Sequence, residues 1–214
     1  MKSKVFSPGE VILGVADPAP PFLVRRGTVA LLVPKLSGSE EGHGPLAVVS
    51  AGALLLPEFV LDDQSLSKVE AVALSSVVLD PITPNSPFVR QAMLTWFDQL
   101  YESAHIRTLP PIHRVAWLVG RIASGEIDGD GHGYVRGIAS RPFASAIGYS
   151  RDAVADNIKK LEAWGYVERL KPMRLGIHLR VLTPQKLVHE ALYGELPPEG
   201  AARMKLPWSQ ASFS

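Results

Sequence analysis

Ser140-Arg-Pro-Phe-Ala-Ser-Ala-Ile147, Gly148-Tyr-Ser150, Arg151-Asp-Ala-Val-Ala-Asp-Asn-Ile-Lys-Lys-Leu-Glu-Ala-Trp164, Gly165 is the stretch whose reading decides the fold. The first segment reads as a short helix, with Ser140 as its cap, Pro142 in the first turn and Phe143, Ala146 and Ile147 facing inward. Gly148 supplies a tight turn where φ > 0 is cheap. Ser150 then caps a second helix whose apolar face is Val154, Ile158, Leu161 and Trp164, and Gly165 closes it as the residue after the C-cap. Tyr166 to Leu170, the turn Lys171-Pro-Met-Arg174 and Gly176 to Leu182 follow as a β-hairpin. Helix, glycine turn, serine-capped helix and hairpin together make a winged helix-turn-helix.

A helix of this kind enters the major groove N-terminus first, so its first outward residues meet base edges. Those are Arg151 and Asp152 and, one turn on, Ala155 and Asp156. Arginine pairs bidentately with guanine O6 and N7, and aspartate accepts from cytosine N4. Arg151, Asp152 and Asp156 are therefore the base-reading candidates. Arg141, Ser150, Lys159, Lys160, Lys171 and Arg174 flank them as phosphate-binding candidates. Residues 136–186 hold 10 Lys/Arg against 4 Asp/Glu, which favours a polyanion over the other use of winged helices, docking to proteins.

Working outward, the charge divides between the halves. The chain of 214 residues has a net charge of +1, but residues 1–106 carry −4 and residues 107–214 carry +5. There is no cysteine, so disulfides, thiolate zinc sites, iron–sulfur clusters and cysteine nucleophiles are excluded. No apolar segment follows Met1-Lys2-Ser3-Lys4, and the greasiest run, Leu46 to Leu56, stops at Pro57. Neither a secretory signal nor a membrane span is expected, and the reading is cytoplasmic. No nucleophile–base pair, metal motif or phosphate loop points to an enzyme, and no cofactor is expected. Asp128-Gly-Asp130-Gly-His132-Gly133 has calcium-like spacing, but position twelve is Ala139 instead of glutamate, so it reads as a polar turn.

From Val5 to Val78 the texture is β: Val11 to Leu13, Phe22 to Val24, Val29 to Val33, Leu46 to Val49, Leu54 to Leu56, Val69 to Leu74 and Val77 to Leu79, parted by Gly, Pro or Asp. Short, evenly spaced strands indicate a sandwich or barrel. Ser37 to Gly44 reads as an exposed hairpin loop. Asp80 to Pro87 breaks the pattern, and a helix capped by Asn85 or Ser86 runs from Phe88 to His105. It carries two apolar rows: Val89, Met93, Trp96 and Leu100, and beside it Phe88, Ala92, Phe97, Tyr101 and Ala104. Two rows fit a helix buried on two sides, either within a monomer or against a second copy. The dimer interface is assigned to Val89, Met93, Trp96 and Leu100. Ile112 to Ala123 makes a further helix, and Thr183-Pro184 opens another that Gly194 ends. Pro-containing residues 196–214 follow, with Trp208 among them.

Taken whole, the chain resembles the bacterial family of the cyclic-AMP receptor protein and FNR. Phe6-Ser-Pro-Gly9-Glu-Val-Ile12 and Arg26-Gly27-Thr-Val-Ala-Leu31 resemble its first β-roll strands, His113-Arg114-Val115-Ala116 its second helix, and Ile147-Gly148-Tyr-Ser150-Arg151-Asp152-Ala-Val154 the start of its recognition helix. The resemblance implies an α+β fold: a jelly-roll-like β-roll over 1–84, a dimerisation helix over 85–108 and a winged helix-turn-helix with a C-terminal extension over 109–214. It implies a homodimeric transcription regulator that binds an inverted repeat in double-stranded DNA, an activator touching RNA polymerase. Family members that bind a cyclic nucleotide hold its phosphate with a Gly-Glu pair and an Arg-Ser/Thr pair. Here Leu54-Leu-Leu-Pro57-Glu58 to Ser67-Lys68 lacks the glycine and the arginine. Independence of cyclic nucleotide is therefore expected; the alternative is a regulator of the same architecture gated by another small effector.

Overall fold

Runs such as Thr28-Val-Ala-Leu-Leu32 are apolar at nearly every position, which strict alternation on a one-sided sheet would forbid. The computed structural model, which describes residues 2–17, 21–34, 43–57, 67–170 and 176–197, gives the reason. Strands β1 (Lys4–Phe6), β2 (Val11–Leu13), β3 (Phe22–Arg26), β4 (Thr28–Pro34), β5 (His43–Ser50), β6 (Glu70–Ala73) and β7 (Val77–Pro81) form two antiparallel sheets, ordered β1-β7-β3 and β2-β6-β4-β5. Val29, Leu31, Val49, Ala71 and Ala73 point between the sheets and, with Val24, Leu55 and Leu79, fill the interior of the roll. Ala30, Leu32, Val48, Val72 and Leu74 point the other way, into a second core shared with the C-terminal helices. The four-stranded sheet is buried on both faces.

Helix α1 (Val89–Ile106) lies on β5, the edge strand of that sheet. Two buried polar side chains make the contact. Gln99 Oε1 accepts from the Ser50 amide at 2.7 Å, and Ser103 Oγ accepts from the Val48 amide at 3.1 Å. An edge amide buried without a partner would cost a lost hydrogen bond, so the helix supplies one from its own side chains. Trp96 and Leu100 pack on the roll core and Val89 is buried. The row facing away is Leu94, Phe97 and Tyr101, 50%, 44% and 74% exposed.

The remainder is α2 (Pro111–Ala123), β8 (Gly133–Ile138), α3 (Ser140–Ile147), α4 (Arg151–Ala163), β9 (Val167–Arg169), β10 (Ile177–Val181) and α5 (Pro184–Tyr193). Helix α2 is buried almost all round and is the centre of the second core. Its Gly120 lets α5 approach closely: a Cβ there would lie 2.8 Å from Val188 Cγ2. Strand β10 pairs antiparallel with both β8 and β9, so the wing is a three-stranded sheet. Among the described residues no helix is long and apolar enough to cross a membrane.

Several local expectations need correction. Strand β8 is absent from the sequence reading, because Gly137 at φ +70° bulges the strand and breaks the alternation between Val135 and Ile138. Strand β1 is likewise not separable from the general β texture. Leu54 to Leu56 is not a strand: only Leu54 bridges Leu23, and Leu55 donates its amide to Phe22 O at 2.8 Å. Neither Asn85 nor Ser86 caps α1 itself; Ser86 Oγ accepts from the Phe88 amide just before the helix. Ser140 is the first residue of α3, and Ala139, extended as β8 runs into it, holds the cap position without a side-chain bond. The loop expected over 37–44 falls mostly outside the described residues, with His43 and Gly44 already in β5.

Candidate nucleic-acid interface

Helix α4 begins where the chain turns sharply out of α3. Gly148 sits in the left-handed region (φ +73°, ψ +36°), and Tyr149 donates its amide back to Ala144 O at 3.0 Å. Ser150 is extended and its Oγ accepts from the Ala153 amide at 3.2 Å, the cap read from the sequence. Val154, Ile158 and Leu161 bury one face; Asn157, buried with them, donates through Nδ2 to Ala153 O at 2.7 Å. Gly165 follows the helix at φ +80°.

The opposite face is exposed and polar: Arg151, Asp152, Ala155, Asp156 and Lys159. Lys159 Nζ lies 2.8 Å from Asp156 Oδ1, and this bond holds the Asp156 carboxyl below the usual carboxylate range. Asp156 is therefore ionised and paired, leaving Arg151 as the cation at the helix start. Arg141 and Ser150 are exposed as well, and Lys160 is half-buried. Lys171 and Arg174 lie outside the described residues. Arg169 on β9 bonds Glu162 at 2.9 Å, and Arg180 on β10 bonds Glu168 at 2.6 Å. These two arginines, not singled out from the sequence, fasten the wing: Arg169 ties β9 to Glu162 of α4, and Arg180 ties β10 to Glu168 of β9. Alternation along the hairpin was the available signal. Between α4 and the wing lies a mainly apolar cavity of about 260 Å³, lined by Val154, Ile158, Ile177 and Leu179 with Arg151 and Arg169.

The winged unit is fixed to the rest of the chain. Arg107 donates to Pro45 O at 2.8 Å and to Ser103 O at 3.0 Å. His105 and His113 meet the last carbonyls of α5, Leu192 O and Ala191 O, each at 3.0 Å. Arg121 and Trp117 on α2 both bond the Glu102 carboxylate of α1. Of the assigned dimer residues, Val89 is spent on the chain's own core, while Met93, Trp96 and Leu100 are half-buried. A groove of about 440 Å³ runs beside them, lined by Pro84, Arg90, Met93, Leu94 and Phe97.

The Asp128 turn is polar, as expected. Its carboxylate accepts from Tyr134 Oη at 2.7 Å and from the amides of Asp130 and His132 at 3.0 and 2.9 Å. These bonds, the tyrosine's first, lower the Asp128 carboxyl. Asp130 and His132 lie close enough to share an ion with it, but the Asp128 oxygens are occupied closing the loop.

No protein-family model and no curated protein sequence matches the chain. Solved structures do. A transcriptional regulator of the CRP/FNR family from Thermus thermophilus superposes with a TM-score of 0.60 at 20% identity, over 90% of this chain and 98% of the other. A second CRP-family regulator from the same organism gives 0.61 at 18% identity, over 88% and 96%. FixK2 from Bradyrhizobium japonicum gives 0.59 at 14%, again over 88% and 96%.

This chain has the CRP/FNR regulator fold. Within the CRP/FNR fold, α1 is the long helix that joins roll to winged unit, and α3, α4 and β9–β10 are the helix-turn-helix and its wing. The stretch 54–68, the segment that the sequence resemblance compares with a phosphate-holding one, is described only in part. Leu54, Leu55 and Leu56 are buried, Ser67 bonds Val69, and Lys68 is exposed.

Proposed function

We propose that the protein is a homodimeric, sequence-specific DNA-binding transcription regulator. The observation that carries the reading is the exposed N-terminal face of α4, Arg151, Asp152 and Asp156, presented by a serine-capped helix on a buried apolar base. Arg151 reads bases, and Arg141, Ser150, Lys159, Lys160, Lys171 and Arg174 hold phosphates. Residues 1–84 form a sensor-like β-roll, 85–108 the dimerisation helix and 109–214 the DNA-binding part. A second copy covers Leu94, Phe97 and Tyr101 with Met93, the unpartnered apolar row of α1; exposed aromatic and aliphatic side chains in one seam are a common mark of an interface.

Two recognition helices related by a two-fold axis call for an inverted repeat in the target. The regulator acts as an activator through RNA polymerase, as the fold resemblance implies. Binding is independent of cyclic nucleotide, a reading supported by the burial of Leu54 to Leu56 where the family's phosphate-binding members have a glycine. In-vitro selection of DNA bound by the purified, ligand-free protein tests the proposal. Enrichment of an inverted repeat is expected; recovery of unselected sequence overturns it.

A further inference from the structure

Between the roll and the wing sheet is a cleft of about 280 Å³, lined from one side by Arg26, Ser75 and Ser76 and from the other by Glu126, Tyr134 and Arg136. The two arginines are the notable pair. Arg25 is neutralised by Asp80 at 3.6 Å, whereas its neighbour Arg26 lines the cleft and donates to Ser76 Oγ at 3.4 Å. Among the described residues Arg26 has no carboxylate partner. Ser75 Oγ accepts from the Thr28 amide at 2.9 Å, which fixes the Ser75-Ser76 corner that Arg26 leans on. Across the cleft, Arg136 lies over the Tyr134 ring at 4.4 Å, and the Tyr134 hydroxyl is held by Asp128. Its ion pair with Glu126, at 3.4 Å, joins two half-exposed side chains, so water screens it and little is lost on breaking it.

We propose that this cleft binds a compact dianion with a short carbon body, a phosphomonoester or a dicarboxylate. The ligand takes the place of Glu126 on Arg136 and gains Arg26 as its second guanidinium, with the Ser76 hydroxyl as a further donor. A guanidinium matches two anionic oxygens at once, and two of them facing one cleft fit a doubly charged group. Ile122 and Pro8 provide an apolar wall for the carbon body. The volume is at the small end for metabolite sites, so the body is a few carbons long. Glu126 is the built-in competitor and offsets one of the two positive charges that face the cleft.

Because the ligand would touch both the roll and β8, it holds the winged unit at one pose on the roll. That consequence rests on the DNA-binding reading; the site itself does not. Calorimetric titration of the full-length protein without DNA, using inorganic phosphate and succinate as separate probes, tests the site. Saturable binding of one probe per chain is expected, and which probe binds tells phosphoester from dicarboxylate. Arg26→Gln and Arg136→Gln should each weaken it at least tenfold with an unchanged melting temperature, while Glu126→Gln should tighten it several-fold. Absence of saturable binding by either probe overturns the proposal. So does binding as tight as the parent's by Arg26→Gln or Arg136→Gln, which would place the anion elsewhere, or weaker binding by Glu126→Gln.

Discussion

Gly148 of the helix-turn-helix corner rests against Pro45 of strand β5: a Cβ on the glycine would lie 3.3 Å from Pro45 Cγ. The same proline's carbonyl is held by Arg107, so the corner that aims α4 is seated on a clamped point of the roll. Gly148→Ala should destabilise by about 1–2 kcal/mol, since a side chain at φ +73° is strained before any contact is counted. Denaturant titration checks this. Adding Pro45→Ala should recover part of the loss if the contact matters, and strict additivity of the two changes would show that backbone strain alone accounts for it.

Glu102 joins α1 to α2 through both Trp117 and Arg121, in a setting where the charged side chains are only 17% and 26% exposed. Burial lowers the Arg121 guanidinium from its usual value, so the charge is costly without its partner. Glu102→Gln should cost about 1–3 kcal/mol, less than a fully buried pair because water still reaches both groups. The double change Glu102→Leu with Arg121→Met should recover most of that, as apolar replacements of buried pairs often do. Urea unfolding of the three proteins decides it. A double variant no better than the single one would mean that the ion pair is intrinsically favourable here.

The Asp128 turn gives a pH dependence with a definite sign. Its carboxyl is lowered in the folded chain, chiefly by the Tyr134 hydroxyl, so its contribution is complete above the ordinary aspartate value and fades as pH falls through the lower folded value. The loop over 128–134 should stay closed through the ordinary aspartate range, about pH 4, and open only as pH falls through the lower folded value. Amide exchange at Asp130 and His132, whose N–H groups bond this carboxylate, reports the opening. A loop already open at neutral pH would show that this carboxylate does not close it.

Much of this arrangement was legible in the residues, and the failures have physical causes. The Ser150 cap, the Gly148 turn and the buried row of α4 each depend on neighbours within four positions, and local chemistry decided them. What stayed hidden depends on distant partners. Gln99 and Ser103 look like ordinary helix polar residues until β5 is laid beside them with two unpaired amides. The outer row of the roll, Ala30, Leu32, Val48, Val72 and Leu74, reads as strand interior; that it packs on the winged unit needs the tertiary fold. Val89 fits an apolar row equally well whichever body covers it, so its burial in the chain's own core could not be told from an interface.

That distinction yields a test of dimerisation. Phe97→Glu, on the outward row of α1, should leave the melting temperature nearly unchanged and shift the sedimenting species from about twice the 23.2 kDa chain mass to a single chain. Val89→Glu should instead unfold the protein, since it buries a charge in the core. A parent protein that sediments as a monomer at micromolar concentration, with or without DNA, would refute the seam.

Arg151 offers the most direct test of the base-reading assignment. It stands one residue past the Ser150 cap, exposed, with no bound carboxylate among the described residues, while Asp156 one turn on is tied to Lys159. In a two-fold dimer the two helices meet successive major-groove faces about 34 Å apart. If Arg151 pairs with guanine, Arg151→Ala should cost about 1–3 kcal/mol per half-site and relax preference at one symmetric pair of positions. Lys159→Ala should weaken all sequences alike and lower the salt slope by roughly one unit for the lost phosphate contact. It also frees Asp156, so a new preference for cytosine in that variant would mean that the ion pair normally keeps the carboxylate from reading bases. Binding sites selected by the parent and by Arg151→Ala, compared position by position, separate these roles. Identical motifs with identical information at every position would remove Arg151 from the base readers and turn the reading face of α4 elsewhere.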